Sequence, residues 1–302
     1  MGKALFDRVR AISRVGRVRF WALAVLAVTI PLGIQATWPG RQLFLPFSGD
    51  LGAGVFLAIF LAALACEYVD SSLGMGYGTT LTPILLLAGF EPLQVVPCVL
   101  LSELATGFAA TVMHQRDGNV DLLRDGQARQ TALLLSALSV VGALAAVTLA
   151  LRVPKAWLST IIAVIILSVG VTILATLRRR LTYRRRNIIV IGAIAAFNKG
   201  LSGGGYGPLT TSGQVFSGVS PRQAVAITSL AEALTCFVGL GAYLLMHGRF
   251  DGRLAVPLVM GALFSVPVAT LTVRCLPESW MRAGVGFFTC LLGLLMVGKL
   301  LL

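Results

Sequence analysis

The stretch Gly74-Met-Gly-Tyr-Gly78 recurs 129 positions later as Gly203-Gly-Gly-Tyr-Gly207. We call these two stretches the first and the second glycine phrase. At the same spacing, and without a gap, twelve residue pairs are identical from position 74 onward, including the acids Glu103 and Glu232. A glycine-rich break that occurs twice in an apolar chain is typical of a transporter built from two repeats around one central site.

The composition is that of a membrane protein. The chain has 302 residues, of which 57% are hydrophobic and only 12% charged, and its mean hydropathy is +0.87. A soluble domain carries about 25% charged residues. The net charge of +13 comes from arginines grouped between apolar runs, as in membrane loops, which argues against a nucleic-acid-binding protein. The five cysteines are scattered through apolar segments, so we expect packing residues and neither a disulfide nor a metal site.

Apolar segments recur in two matching sets. The first set lies at about 53–69, 79–89, 93–113, 129–151 and 156–176, and the second at about 188–200, 208–217, 223–246, 254–273 and 280–301. In each set the second member is about ten residues long, or about 15 Å as a helix, half of a hydrocarbon core of about 30 Å. Each short member follows a glycine phrase, so the sequence predicts a broken or re-entrant pair: entry to mid-membrane, a break, and a half-helix back.

The predicted fold is therefore an all-α polytopic membrane protein with two inverted repeats, broken or re-entrant helices and one extra N-terminal helix. Its parts are a basic N-terminal segment with the first membrane helix (1–50), repeat 1 (51–177), a basic cytoplasmic connector (178–186) and repeat 2 (187–302). The apolar run at about 20–36 follows six basic residues and resembles a signal peptide. The many spans after it favour a retained first helix with a cytoplasmic N-terminus in the cell inner membrane.

Loop charges set the predicted orientation. With the N-terminus inside and three full crossings in each repeat, 18 basic residues lie on the inside and 6 on the outside, as the positive-inside rule requires. An odd number of crossings inverts the second repeat relative to the first. The inversion also survives if both members of each broken pair span fully, whereas the repeats become parallel if only one member spans.

The glycine phrases predict a composite site for an anion. Glycine permits left-handed or closely approaching backbone, and Thr79, Thr80 and Pro208 suit the start of a helix. Each half-helix then turns its free N–H groups and positive dipole end to the midplane, where two such ends bind an anion. The predicted substrate-binding residues are Gly74, Gly76, Tyr77, Gly78, Thr79, Thr80, Thr82, Lys199, Gly203, Gly204, Gly205, Tyr206, Gly207, Thr210, Thr211 and Ser212. The alternative is close helix packing, although the G-x-G-x-G spacing differs from the G-x-x-x-G of packing faces.

Glu103 and Glu232 are the predicted coupling residues. Each lies about ten residues into its helix, near the membrane centre, where a charged carboxylate costs at least about 2.5–3.5 kcal/mol unless it is paired, hydrated or protonated. One interpretation is a proton-carrying site coupled to the substrate. The other is a structural carboxyl group that binds the unwound backbone of the broken helix, which its presence in both repeats favours.

Lys199 is a basic residue within an apolar segment close to the second glycine phrase, and Asp70 is its repeat counterpart. It either attracts the anionic substrate or forms an ion pair with Asp70 or Glu67. His114 and His247 stand where helices meet loops, so we expect them at the membrane interface without a catalytic role.

The two phrases, each followed by a short apolar stretch, a Gly-x-x-Pro turn (Gly89–Pro92 and Gly218–Pro221) and a helix bearing Ser or Thr, resemble the sulfite exporter TauE/SafE family. The resemblance covers most of residues 50–302. It implies a small two-repeat membrane protein that moves anionic sulfur compounds such as sulfite, thiosulfate or organosulfonates, often driven by protons. Members of that family more often carry three consecutive glycines, as at Gly203–Gly205 here, and the tyrosine before the last glycine marks a departure from that pattern.

The sequence as a whole predicts a secondary transporter for a small anion that works by alternating access, with proton coupling as an option. The alternatives are a passive anion channel, a transporter of a small carboxylate, and a scaffold without flux. We predict no enzymatic activity, no cofactor and no metal, because neither an H-E-x-x-H motif nor an acid pair of a hydrolase occurs. The expected partners are the small anion, membrane lipid and, as an option, protons, and not nucleic acid.

Overall fold

Six helices are described along their whole length in a computed structural model of the chain. The described residues are 52–152, 221–247 and 251–273, with single positions between 157 and 219 and between 283 and 298. The helices are α1 (Ala53–Leu73), α2 (Tyr77–Leu87), α3 (Pro92–Arg116), α4 (Gly126–Arg152), α5 (Pro221–His247) and α6 (Gly252–Thr272). The all-α prediction is confirmed, and no strand occurs in these ranges. The predicted segment 1–50 and connector 178–186 lie outside the described residues.

Four of the six helices are long and apolar enough to cross a membrane, namely α1, α3, α5 and α6. Their lipid-facing surface is apolar, with exposed side chains such as Leu57, Phe237 and Val268. The polar side chains of the same helices are instead buried, among them Glu67, Glu103 and Glu232. This reversal of the pattern of a soluble protein is what a lipid-exposed bundle with a polar interior requires.

The starts of the helices follow from local sequence. Glu91 caps α3 in a capping box in which its backbone N–H donates to Gln94 Oε1 at 3.1 Å, and Pro92 occupies the first turn. α5 begins at the repeat counterpart Pro221. Asp251 caps α6 by accepting from the Arg253 amide at 3.0 Å.

The helices α1 and α3 both run parallel to α6 and begin at the same end of the bundle. The first broken pair, α1 and α2, therefore enters and returns at that end. α1 and α6 run parallel, because Ala63 packs beside Gly261 and Ser72 Oγ donates to Ala269 O at 3.4 Å further along. α3 is also parallel to α6, since Cys98 meets the residue that caps α6 and Asn119 meets Thr270 near its end.

α2 runs back against α3 and reaches it through residues 88–91, where Phe90 N donates to Leu85 O at 3.1 Å and Gly89 has φ 97°. α2 has 11 residues, about 16 Å, and so matches the predicted half-helix. α1 has 21 residues and continues past the predicted end of its segment to Gly74.

Helices that occupy the same place in the two repeated stretches run in opposite directions. Leu100, early in α3, packs on Gly239, late in α5, whereas a Cβ on Gly107, later in α3, would lie 2.9 Å from Ser229 O, earlier in α5. α4 and α5 start at the same end, where Gln223 Nε2 donates to Asp125 Oδ2 at 2.9 Å. α3 and α5 are therefore antiparallel, and so are α4 and α6.

Candidate functional site

The first glycine phrase breaks the chain between α1 and α2. Gly74 ends α1 in the left-handed conformation, with φ 67°, and its amide donates to Asp70 O at 2.6 Å. Gly76 precedes α2 with φ 136°, a conformation that side chains other than glycine rarely adopt. The side chains beside the break reach different depths: the Tyr77 hydroxyl bonds to Ser102, about ten residues into α3, whereas Ser72 bonds to Ala269, close to the end of α6.

The first amides of α2 bind carboxylates of the protein itself. Gly78 N donates to Glu103 Oε1 at 3.2 Å, and Tyr77 N donates to Asp70 Oδ1 at 3.4 Å. A helix N-terminus leaves its first N–H groups free and carries a partial positive charge, so it attracts carboxylate oxygens. The sequence predicted that this helix end binds an oxyanion. In the structure, the carboxylates of Asp70 and Glu103 accept from its first amides.

The two glycine phrases touch. A Cβ on Gly207 would collide with Gly74 O and would lie 2.9 Å from Met75 Cα. Thr211 Oγ1 donates to Gly74 O at 2.8 Å, which ties the second half-helix region to the end of α1. Thr228 Oγ1 on α5 lies 2.9 Å from Thr211 Oγ1. Glycine is required at position 207 because the two backbones approach closely there. The same contact packs the two phrases together at the predicted site.

A buried ion cluster lies beside this junction. Lys199 Nζ forms a salt bridge with Glu232 Oε1 at 2.8 Å and another with Glu103 Oε2. Lys199 is 0% exposed, Glu103 2% and Glu232 5%. Because Glu103 and Glu232 are repeat counterparts, one lysine stands between two equivalent acids. These salt bridges differ from the predicted pairing of Lys199 with Asp70 or Glu67, because the middles of α3 and α5 meet where the lysine reaches.

Two further carboxyl groups, those of Asp70 and Glu67, lie close to this cluster, although among the described residues only Glu103 and Glu232 form salt bridges with Lys199. The charge of Lys199 also acts on Asp70, and the charges of Asp70 and Glu103 act on Glu67, which accepts from Ser71 Oγ at 2.5 Å. Burying a carboxylate without a partner costs several kcal/mol, roughly 3–5 kcal/mol when a buried pair is broken. Among the described residues the cluster has one cation and four carboxyl groups, so ionisation of all four would leave it with a net negative charge.

The hydroxyl groups of the predicted site fall into two classes. Thr79 and Thr82 are buried, and their Oγ1 atoms bond to none of the described residues. Thr210 Oγ1 instead donates to Tyr206 O at 2.8 Å, within its own helical turn. The Thr80 side chain, in the same turn of α2 as Thr79, is half-buried. The unpartnered pair on α2 is thus the hydroxyl set available to a ligand.

Both tyrosines of the phrases are fully buried, and their hydroxyls contact serine side chains of neighbouring helices. Tyr77 OH lies 2.7 Å from Ser102 Oγ, and Tyr206 OH lies 3.3 Å from Ser139 Oγ. Their rings pack the start of each half-helix against the bundle. Their predicted contact with substrate stays a prediction, as do the roles of Gly203, Gly204, Gly205 and Ser212, which lie outside the described residues.

His114 lies near the end of α3, where the helix meets a loop as predicted, and its position at the membrane interface stays a prediction. His114 is 0% exposed, and its Nδ1 lies 3.0 Å from Asn119 Nδ2. The side chain of His247 lies outside the described residues. In the loop that follows α3, the Arg124 amide donates to Asp121 and holds the pKa of that exposed carboxyl below its usual range.

The hydrogen bond from the Gly78 amide to Glu103 agrees with the interpretation of that glutamate as a structural carboxyl group bound to the broken helix, whereas the sequence did not indicate that Asp70 also accepts from α2. Asp70 was considered only as a partner for Lys199, although it lies one helical turn before the phrase, where a returning half-helix exposes its amides. Two polar side chains close to the junction also bond to each other, since Gln214 Nε2 donates to Thr228 Oγ1 at 2.9 Å. Within the described ranges, no group of three or more His, Cys, Asp or Glu side chains has metal-binding geometry.

Comparisons with known proteins agree on one family. The family model described as sulfite exporter TauE/SafE matches residues 58–296. The chain is 28% identical over 240 residues to a protein of Bacillus subtilis (strain 168) named probable membrane transporter protein YtnM, and the match covers 76% of this chain and 78% of that protein. No solved structure matches the chain.

Proposed function

Because the chain belongs to the sulfite exporter TauE/SafE family of membrane transporters, we propose that it is a secondary transporter of a small sulfur oxyanion or organosulfonate. The substrate would bind where the two glycine phrases meet. The observation that carries this proposal is the start of α2, whose Gly78 amide holds a carboxylate oxygen of Glu103 at 3.2 Å. Carboxylate and sulfur oxyanions present the same kind of charged acceptor oxygen to a backbone N–H.

Several neighbouring groups support an anion at this position. The amides of Tyr77 and Gly78 point there, the Thr79 and Thr82 hydroxyls are buried and unpartnered among the described residues, and Lys199 supplies a positive charge nearby. Preformed donors in a site closed off from water strengthen each interaction with an anion.

We further infer that the repeats are inverted and that transport proceeds by alternating access around the junction. The opposite directions of α3 and α5 support inversion, as does a first broken pair that makes no net crossing. In this arrangement the end of the bundle that carries Arg116, Arg124 and Arg222 faces the cytoplasm. Rocking of one repeat against the other would open the junction to each side in turn.

A small carboxylate is the second candidate substrate, favoured by the carboxylates that already occupy the α2 amides. A thermal-shift screen of the purified protein separates the two classes. Its arms are sulfite, sulfate, thiosulfate and a small sulfonate against acetate, lactate and succinate. A ligand at about 100 times its Kd stabilises the folded state by about 2.7 kcal/mol. Stabilisation by carboxylates alone would replace the sulfur-anion assignment, and stabilisation by neither class would refute anion binding.

Transport itself requires flux. In proteoliposomes, a proton-coupled transporter accumulates the stabilising anion against its gradient when a pH gradient is imposed. Uptake that only equilibrates the anion would identify a passive channel instead. Chloride in place of the tested anion provides the control for non-specific leak.

A further inference from the structure

Glu103 occupies the same donors that the proposed function assigns to the substrate. Its Oε1 accepts from Gly78 N at 3.2 Å, and its Oε2 pairs with Lys199. Its repeat counterpart Glu232 also pairs with Lys199, at 2.8 Å. Glu103 therefore joins the lysine to the start of α2, whereas Glu232 bonds to the lysine.

We propose that the Glu103 carboxylate is a tethered competitor of the transported anion, so that the anion binds at α2 only as Glu103 leaves and takes up a proton. This inference rests on the proposed function and specifies how its site is regulated. It assigns the coupling role to Glu103 and leaves Glu232 as the constant partner of Lys199.

The charge balance of the site carries the argument. An anion that arrived while Glu103 stayed ionised would add a negative charge to a buried cluster that already has four carboxyl groups and one lysine. An unpaired buried charge costs several kcal/mol. Replacing the Glu103 carboxylate by a monoanion, with one proton added to Glu103, leaves the net charge of the cluster unchanged. The Lys199–Glu232 pair stays intact throughout.

The groups around Glu103 limit which residue can play this part. Those with ionisable or charged side chains are Lys199 near the second phrase, Glu232 and Cys236 on α5, Glu67 and Asp70 on α1, and Tyr77 on α2. Asp70 also accepts from α2, through Tyr77 N at 3.4 Å, but no salt bridge joins it to Lys199 in the described part of the chain. Displacing Asp70 would therefore free one amide and no lysine contact.

Further donors are present on α2 for an anion that replaces Glu103. Thr79 and Thr82 present hydroxyls that are buried and bond to none of the described residues. Thr79 lies in the first turn of α2, beside the Gly78 amide. A bound oxyanion would accept from these two hydroxyls. Glu103 is anchored on α3 and has only two carboxylate oxygens, one of which pairs with Lys199.

Calorimetric titration of the full purified chain with methanesulfonate and with 2-hydroxyethanesulfonate tests the proposal, because both are monoanions whose charge does not change between about pH 5.5 and about pH 7.5. For the wild type we expect Kd to rise about tenfold per pH unit and about one proton to be taken up per anion bound, as counted in two buffers of different ionisation enthalpy. Glu103→Gln should bind with little pH dependence and at least about tenfold more tightly than the wild type near pH 7.5. Glu232→Gln is the matched control and should keep the wild-type slope.

The outcomes separate the two levels of the proposal. Wild-type binding without proton uptake would overturn the competitor role, whether or not either variant folds. An unchanged pH slope in Glu103→Gln would overturn it as well. If neither the wild type nor Glu103→Gln binds either anion at any pH, the proposed function itself fails for organosulfonates, and the competitor role fails with it.

Discussion

Replacing Lys199 by methionine should destabilise the protein strongly and in a pH-dependent way. At 2.8 Å, the Lys199–Glu232 attraction alone amounts to about 6 kcal/mol at an effective dielectric constant of about 20. Desolvation of both groups offsets most of that energy in the wild type. Removing the lysine leaves the desolvation of two carboxylates without its compensation, and breaking a buried pair in this way costs about 3–5 kcal/mol.

Protons can repair this loss. Near pH 8 the Lys199→Met variant must either keep Glu103 and Glu232 charged or protonate both, and each costs free energy of folding. Near pH 5 the two carboxylates take up protons more easily, so the loss of stability should be smaller. In detergent micelles we expect the unfolding midpoint, followed by tryptophan fluorescence, to fall by roughly 5–15 °C near pH 8. Lys199→Arg is the charge-preserving control. A triple variant with both acids changed to glutamine should recover most of the loss. A Lys199→Met midpoint equal to that of the wild type near pH 8 would refute the ion cluster as described.

Three further predictions follow from the junction and the topology. Gly207→Ala places a Cβ against Gly74 O and should lower stability by about 1–3 kcal/mol in thermal unfolding, whereas Gly241→Ala, with open space around it, should not. Gly76→Val should abolish anion uptake into proteoliposomes while the protein still inserts, because φ 136° excludes valine; retained uptake would remove the first phrase from the site. A cysteine that replaces Leu123, which is 80% exposed, should react with an impermeant thiol reagent only from the cytoplasmic side, and a cysteine that replaces Glu91 only from outside. Labelling of the native cysteines is measured as the background. The reverse labelling would invert the orientation.

The helical architecture could be predicted because hydrophobic length and glycine placement act locally. The 11-residue α2 follows from a short apolar run between two glycine-rich breaks, and Pro92 and Pro221 start α3 and α5 at equivalent positions. The contact of Gly207 with Gly74 agrees with the prediction that the two phrases come together.

The partners inside the site could not be predicted in the same way. Which acid faces Lys199 depends on how far α3 slides along α5, and that register is set by the close contacts of Gly107 with α5 and of Gly239 with Leu100. The hydrogen bond from Tyr77 N to Asp70 depends on the angle at which α2 leaves Gly76. Neither quantity is encoded in hydrophobic periodicity.

The single shared lysine also bears on how the chain is made. Glu67, Asp70 and Glu103 all belong to the part of the chain that leaves the ribosome before Lys199, and no lysine occurs from position 4 to position 154. During synthesis, three acids must therefore enter the bilayer protonated or wait at its surface until their base arrives. Of the clustered groups, the first half of the chain contributes Glu67, Asp70 and Glu103, whereas the second half contributes Lys199 together with Glu232. The later half is thus electrically self-sufficient, and the earlier half depends on it to complete membrane assembly.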